Sequence, residues 1–173
     1  MRTASQLPCP ISSISIDIIV IVLNITNRST MNIEHNFQIL ASPETVYHAI
    51  TTPAGIRGWW SNNSSIAPQV GGIHQMHFAK GDQIVTMQFK VDELQPGRRI
   101  AWTCITNDNP AWINTQLVFE IDGADNSVSF KFQHIGFNEQ WQDTPPYLAT
   151  VEGWHLFVNS LKQYCETGIG QPM

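Results

Sequence analysis

The sequence predicts an α+β fold in which a curved antiparallel sheet wraps around one long C-terminal helix and encloses an apolar interior. Two observations predict it. Most of the segment between residues 73 and 134 alternates apolar and polar residues, which is the pattern of half-buried antiparallel strands. The segment from about Pro146 to Glu166 instead carries apolar residues four and three positions apart, which is the pattern of a helix with one buried face.

The first thirty residues differ from the remainder of the chain. Their uninterrupted apolar run, Ile18–Leu23, is far shorter than the roughly 20 residues of a membrane-spanning helix. Asp17 interrupts the wider apolar stretch, and no clean signal-peptide cleavage site follows it. The β-branched residues favour a strand over a helix. We interpret residues 1–30 as an N-terminal extension outside the core fold and Met31 as a natural start. A weak export signal or an added edge strand are the alternatives.

A strand over Ile33–Leu40 is expected to lead into two short helices. In Ser42-Pro43-Glu44, serine suits the N-cap, proline the first helical position and the acid the first turn. Thr52-Pro53 ends this helix, and the residues after it permit one more helical turn before Trp59-Trp60. A polar loop is expected over Ser61–Ser65.

A meander of antiparallel strands follows, with turns at Gly81-Asp82, Pro96-Gly97 and Asp122–Asn126. Each strand is apolar on one face, and the faces turned to the interior are rich in aromatic rings. The predicted cavity residues on these strands are Met76, Phe78, Met87, Phe89, Trp102, Phe119, Phe130, Phe132 and His134.

The last helix is expected to end before Gly168, since glycine commonly terminates helices. Its apolar stripe consists of Tyr147, Val151, Trp154, Val158, Leu161 and Cys165. From this helix Trp154, Phe157 and Val158 join the predicted cavity residues. Trp59, Trp60 and Trp141 are candidates for the mouth or lining of the cavity, with simple core packing as the alternative. The whole of residues 31–173 is therefore predicted to form one domain.

Composition excludes several classes of function. Lys and Arg total 9 and Asp and Glu total 14, so the formal net charge of −5 gives no electrostatic reason to bind nucleic acid or an anionic membrane. Cys9, Cys104 and Cys165 show neither a CxxC pair nor zinc-ligand spacing. They predict reduced thiols in a cytoplasmic protein.

No nucleophile elbow, phosphate-binding loop, zinc-protease motif or dinucleotide fingerprint occurs, so neither catalytic residues nor a cofactor are predicted. His74 and His77 lie three apart in a strand, which turns them to opposite faces and argues against a shared metal ion. His134 is either a polar handle inside the cavity or a hydrogen-bonded histidine at its rim.

Three segments resemble one known family. Ala41–Pro53 with Trp59-Trp60, Asp92–Ile100 and Gly153–Tyr164 are similar to the C-terminal domain of the activator of heat-shock protein 90 ATPase and its homologues. The resemblance covers Met31 to the end of the chain. It implies the helix-grip fold of the START-like (SRPBCC) superfamily, which includes lipid carriers, polyketide cyclases, hormone-binding proteins and the cochaperone domain. It carries over no catalytic motif.

Three functions follow as hypotheses. The first is a non-enzymatic domain that binds a small apolar or aromatic ligand between the sheet and the long helix. The second is a protein-interaction module, with a chaperone as candidate partner, which requires a filled core and an exposed apolar patch. The third is a cyclase-like or aromatase-like enzyme that uses His134 beside an acid or hydroxyl. An internal cavity above roughly 300 Å³ favours the ligand hypothesis, and a filled interior favours the interaction hypothesis.

Overall fold

Seven antiparallel strands form one sheet in the part of the chain that the computed structural model describes, residues 31–173. The predicted extension with its apolar run, and Cys9, lie outside the described residues. The strands are β1 (Ile33–Ile39), β2 (Asn63–Ser65), β3 (Ile73–Lys80), β4 (Gln83–Gln95), β5 (Arg99–Thr106), β6 (Gln116–Ala124) and β7 (Ser127–Ile135). The helices are α1 (Pro43–Thr51), α2 (Pro53–Trp59) and α3 (Pro145–Thr167), and single 3₁₀ turns lie at Pro110–Trp112 and Glu139–Trp141.

The strand order is β1-β7-β6-β5-β4-β3-β2, so the chain crosses from one edge of the sheet to the other through α1 and α2. From β2 onward each strand pairs with its neighbour in sequence, and β7 closes back on β1. The long strand β4 shifts register twice against β5, between Gln88 and Phe89 and between Val91 and Glu93. Such irregularities bend a strand and increase its twist, which helps this sheet curve.

The helix ends follow the predicted chemistry. Ser42 Oγ accepts the backbone N–H of Thr45 at 3.1 Å, and Pro43 is the first residue of α1. Thr52 ends α1 and also caps α2, because its Oγ1 accepts the N–H of Gly55 at 3.0 Å. Gly168 terminates α3 with a left-handed φ of 79°. The structure therefore confirms two short helices after the first strand and the long C-terminal helix.

The prediction of a loop over Ser61–Ser65 is wrong for its last three residues. Asn63–Ser65 pairs with His77–Gln75 and forms the short edge strand β2. Its polar residues carry no strand pattern, and the backbone pairing with β3 alone places it in the sheet. The start of α3 also lies one residue before the prediction, at Pro145.

The apolar stripe of α3 packs against the ring-rich face of the sheet, as predicted. Trp154, Val158, Leu161 and Cys165 are buried, and Tyr147 and Val151 are half-buried at the start of the helix. Phe132 of β7 lies 4.3 Å from Trp154, centroid to centroid. The aromatic rings that are less than 2% exposed include Trp59, Trp60, Trp102, Trp154, Phe89, Phe119, Phe130 and Phe132. At 1.5–3 kcal/mol for each fully buried large apolar side chain, this ring cluster supplies much of the driving force for the fold.

Candidate functional site

A pocket of about 180 Å³ opens between β4, the loop after β5 and the first half of α3. Most of its surface is apolar, with polar groups from the loop at its edge. The lining residues are Met87, Asn107, Asp108, Asn109, Trp112, Ala149, Thr150, Gly153, Trp154 and Phe157. We call this the mouth pocket.

Hydrogen bonds fix the loop wall of the mouth pocket to α3. Asn109 accepts the N–H of Ala111 on its Oδ1 at 3.0 Å, and its Nδ2 donates to the carbonyl of Pro146 at 2.9 Å. The indole N–H of Trp112 donates to Thr150 Oγ1 at 2.7 Å. Thr150 in turn donates to the Pro146 carbonyl at 2.9 Å. Because both sides share these bonds, the pocket exists without a ligand to order it.

Gly153 keeps the helix wall of the mouth pocket open. It lies inside α3, and a Cβ built on it meets no atom within 4 Å among the described residues. Glycine inside a helix is less favourable than alanine by about 1 kcal/mol, so helix propensity does not explain a glycine at this position. A longer side chain at this position would project into the pocket.

Asn107 contributes to the loop wall of the same pocket. Its Oδ1 accepts the backbone N–H of Asn109 at 2.8 Å. Its amide group is shielded from solvent and lies against the Cys104 thiol. Burial raises the pKa of the neighbouring Cys104 thiol to about 11, and the Asn107 amide offsets part of that rise.

Among the predicted cavity residues, the mouth pocket brings together only Met87, Trp154 and Phe157. Phe78 is half-buried, 6.4 Å from Phe157, and Trp141 is half-buried in its 3₁₀ turn. The others lie at most 4% exposed in the packed core: Trp59, Trp60, Met76, Phe89, Trp102, Phe119, Phe130, Phe132, His134 and Val158. The burial of Trp59 and Trp60 places them in the core rather than at a mouth.

Stacked rings occupy the space between the sheet and α3. Trp60 lies parallel to Trp102 at 6.3 Å and packs against Trp154 at 5.4 Å. These contacts continue from the sheet to the helix, so the interior is filled. At about 180 Å³ the mouth pocket is below the roughly 300 Å³ that favours the ligand hypothesis, and the filled interior is the outcome that favours the interaction hypothesis.

Both ring nitrogens of His134 are occupied. The Trp154 indole N–H donates to its Nδ1 at 3.0 Å. The proton is therefore on Nε2, which donates to Thr115 Oγ1 at 2.7 Å, and that hydroxyl donates to the Trp112 carbonyl. Burial holds the pKa of His134 well below its usual value. A neutral imidazole with both nitrogens bonded orients its neighbours and has no free position for acid–base chemistry.

The two histidines of β3 do not converge. His74 lies inside, where its Nδ1 accepts the N–H of Ala67 at 3.2 Å and burial lowers its pKa to about 4. His77 faces the other side and hydrogen-bonds Thr86 Oγ1 at 2.9 Å. Within residues 31–173 no three His, Cys, Asp or Glu side chains lie close enough to hold a metal ion.

The described thiols are poor nucleophiles. Cys104 and Cys165 are free and buried. Burial raises the pKa of Cys165 to about 12, and the nearby Glu166 carboxylate adds to the rise. Thiolate is the reactive form, so neither group is a candidate for covalent chemistry.

No helix within residues 31–173 is long and apolar enough to span a membrane.

Sequence reasoning missed the polar half of the mouth pocket. The missed lining residues are Asn107, Asp108, Asn109, Trp112, Ala149, Thr150 and Gly153. Sequence reasoning assigns no role to the segment from Asn107 to Trp112. Asn109-Pro110 carried a usable signal, because asparagine followed by proline is typical of the start of a helical turn.

Comparisons with known proteins agree with this architecture. The model of the family described as "Activator of Hsp90 ATPase homolog 1-like protein" matches residues 40–166. The solution structure of the Aha1 dimer from Colwellia psychrerythraea is 31% identical, with a TM-score of 0.66 over 80% of this chain and 98% of that one. A Staphylococcus saprophyticus protein is 21% identical, with a TM-score of 0.64 over 81% of this chain and 95% of that one. An AHSA1-like protein from Aeromonas hydrophila is 15% identical, with a TM-score of 0.59 over 78% of this chain and 93% of that one. A search of curated proteins found no match.

Proposed function

This chain belongs to the family of Activator of Hsp90 ATPase homolog 1-like proteins, and we propose that it is a non-enzymatic domain that binds a small apolar or aromatic ligand in the mouth pocket. The family supports either a ligand-binding or a cochaperone-like domain. The observation that carries the proposal is a preformed apolar pocket whose helix wall is left open by Gly153.

The volume of the pocket limits the ligand to about one ring. Sites for drug-sized molecules usually enclose about 300–1,000 Å³. An apolar cavity of about 150 Å³ is large enough to bind benzene. The 180 Å³ of the mouth pocket is in that range, so a single ring fits and a lipid or polyketide chain does not. The sequence predicts a ligand between the sheet and the long helix. We narrow that hypothesis to a ligand of about one ring that binds in the mouth pocket.

The bonded state of His134 and the buried thiols support binding without catalysis. The cyclase-like hypothesis needs His134 to face a cavity with a free nitrogen, and both nitrogens are engaged with Trp154 and Thr115. Asn107, Asn109 and Thr150 at the pocket are amides and a hydroxyl that ordinarily remain neutral, and the Asp108 carboxylate forms an ion pair with Lys80 at 3.1 Å.

Binding of toluene, observed on the indole N–H resonances of Trp112 and Trp154, tests this proposal. Toluene is expected to shift both resonances in a saturable manner, because both indoles line the pocket. Gly153→Leu is expected to abolish the shifts by filling the pocket, whereas Asn159→Leu, at an exposed position of the same helix, should leave them unchanged. Saturable shifts that persist in Gly153→Leu would place the ligand elsewhere.

A protein-interaction module is the second candidate, and two observations favour it. The filled interior meets the first requirement of that hypothesis. On α3, Leu148 and Leu156 are 47% and 68% exposed, which gives the helix two apolar groups that a partner could cover. The similar Colwellia protein is described as a dimer, so a second copy and a chaperone are the two partners to test.

The two partners give different results in one experiment. A second copy predicts a dimer in sedimentation at micromolar concentration that Leu156→Ser weakens. A chaperone predicts a monomer that binds a purified Hsp90-type chaperone, and Leu156→Ser again weakens binding. Gln163→Ser, an exposed position of the same helix, is the control. A monomer that binds no chaperone would exclude this candidate.

A further inference from the structure

The neutral polar side chains at the mouth pocket are already engaged within the protein. Nδ2 of Asn109 donates to Thr150 Oγ1 at 3.2 Å, and the same hydroxyl accepts the indole N–H of Trp112 at 2.7 Å. Thr150 also donates its own proton to the carbonyl of Pro146. Asn107 accepts from its own loop on Oδ1, and its amide is shielded from solvent. These groups hold the loop against the helix, so they do not select a ligand.

Asp108 differs from these groups because it is charged and exposed. It lines the mouth pocket, and its Oδ2 forms an ion pair with Lys80 Nζ at 3.1 Å. The side chain of Asp108 is 41% exposed and that of Lys80 is 72% exposed. Exposed ion pairs contribute little to stability, because water and salt screen the charges and two side chains lose freedom. A second cation that enters the pocket can therefore share or replace Lys80 at this carboxylate at little cost.

The walls of the mouth pocket also favour a positive charge. Trp112, Trp154 and Phe157 line it, and the faces of aromatic rings carry partial negative charge that attracts cations. No lysine or arginine of residues 31–173 lines it. An anionic group would have to compete with Asp108 for Lys80, whereas an ammonium group meets a carboxylate at the rim and ring faces beside it.

We propose that the ligand of the mouth pocket is a single aromatic ring bearing an ammonium group, and that the Asp108 carboxylate binds this ammonium. This inference rests on the proposed function, since it assigns the chemistry of the same pocket. The apolar walls supply the affinity that any ring of suitable size would share. Asp108 then selects the positively charged ligand among rings of equal size, and Lys80 is the group with which that ligand competes.

Three probes that share one ring and differ in charge test the proposal: benzylamine, benzyl alcohol and benzoate. Their affinities are read from the indole N–H resonances of Trp112 and Trp154, which line the pocket. Benzylamine is expected to bind the wild-type chain about fivefold more tightly than benzyl alcohol, the size of effect expected for an ion pair that stays partly exposed. Benzoate is expected to bind most weakly of the three.

Two variants are expected to change the affinity for benzylamine in opposite directions. Asp108→Asn keeps the size of the side chain and removes its charge, so it should weaken benzylamine about fivefold and change benzyl alcohol by less than about twofold. Lys80→Gln removes the competing cation, so it should strengthen benzylamine about twofold to threefold. A merely structural role of the ion pair would weaken all three probes in both variants.

A measurement on the wild-type chain serves even if a variant fails to fold. The preference for benzylamine over benzyl alcohol should shrink between about 20 mM and about 500 mM sodium chloride, because salt screens partly exposed charges. Equal affinities for these two probes, a preference for benzoate, or a preference for benzylamine that Asp108→Asn leaves intact would overturn the assignment. Toluene would still bind in each of those cases, and the proposed function would stand. Failure of toluene and all three probes to bind the wild-type chain would refute the proposed function as well.

Discussion

Replacing Gly153 with alanine is expected to stabilise the domain, and the expected size of the effect follows from the structure. Glycine inside a helix costs about 1 kcal/mol relative to alanine, through backbone entropy in the unfolded chain. A new Cβ at Gly153 meets no atom within 4 Å, so no clash offsets this gain. For a chain of this length, about 1 kcal/mol corresponds to a rise of roughly 2–4 °C in Tm.

The same substitution at Gly55 is the matched control, because Gly55 also lies in a helix. There a Cβ would be 2.4 Å from the carbonyl oxygen of Ala49 and 2.5 Å from that of His48. Backbone atoms cannot move aside as a side-chain end can, so Gly55→Ala is expected to destabilise by about 1–3 kcal/mol. Urea unfolding monitored by circular dichroism measures both variants.

The result for Gly153→Ala decides whether the mouth pocket is open. A lower free energy of unfolding would mean that the new methyl meets a group at this position, and the pocket would then be closed in solution. A gain of about 1 kcal/mol together with weaker toluene binding would show that stability is given up here for an open site, as expected where function and stability compete.

Three further predictions concern buried groups. Burial lowers the pKa of His74 to about 4 and holds the pKa of His134 well below its usual value. As the pH falls below about 6.5, these two histidines become protonated in the unfolded chain while they stay neutral in the folded one. The free energy of unfolding should therefore fall by about 2 kcal/mol between pH 6 and pH 5 in urea titrations. A flat profile would contradict these assignments. His134→Phe should lower the free energy of unfolding by about 2–4 kcal/mol, because the Trp154 indole N–H and the Thr115 hydroxyl lose their hydrogen-bond partner. A free energy of unfolding within about 0.5 kcal/mol of the wild-type value, roughly the effect of a surface substitution, would contradict this. Cys104 and Cys165 should react with a thiol reagent at the rate of global unfolding, and rapid labelling of the native chain would refute their burial.

The alternation of residue types was sufficient to predict most of the fold. In β7, Phe130, Phe132 and His134 lie on the buried face because side chains alternate along a strand, and the sequence shows that period directly. The edge strand β2 was not predictable in this way. Asn63–Ser65 contains no apolar residue, and only its pairing with β3 makes it a strand.

The candidate site was less predictable than the fold for a physical reason. Periodicity tells which side chains face the interior, but it does not tell whether their volumes fill it. Here Trp60 from the turn after α2 inserts between Trp102 of the sheet and Trp154 of the helix, and that contact depends on the path of the chain in three dimensions. The same face pattern would suit a hollow domain with smaller side chains at these positions.

Filling the interior also explains why the mouth pocket lies beside the ring cluster and not inside it. Close-packed rings leave few voids, so an opening persists only where a wall lacks a side chain or where a loop supplies short polar residues. Both conditions hold at the mouth, where Gly153 faces the loop that carries Asn107 and Asn109. Specificity then depends on the few polar atoms of that loop, because the apolar walls accept any ring of the right size. Function in this domain is therefore expected to change with substitutions in residues 107–109 and at position 153, while changes among the buried rings alter mainly stability.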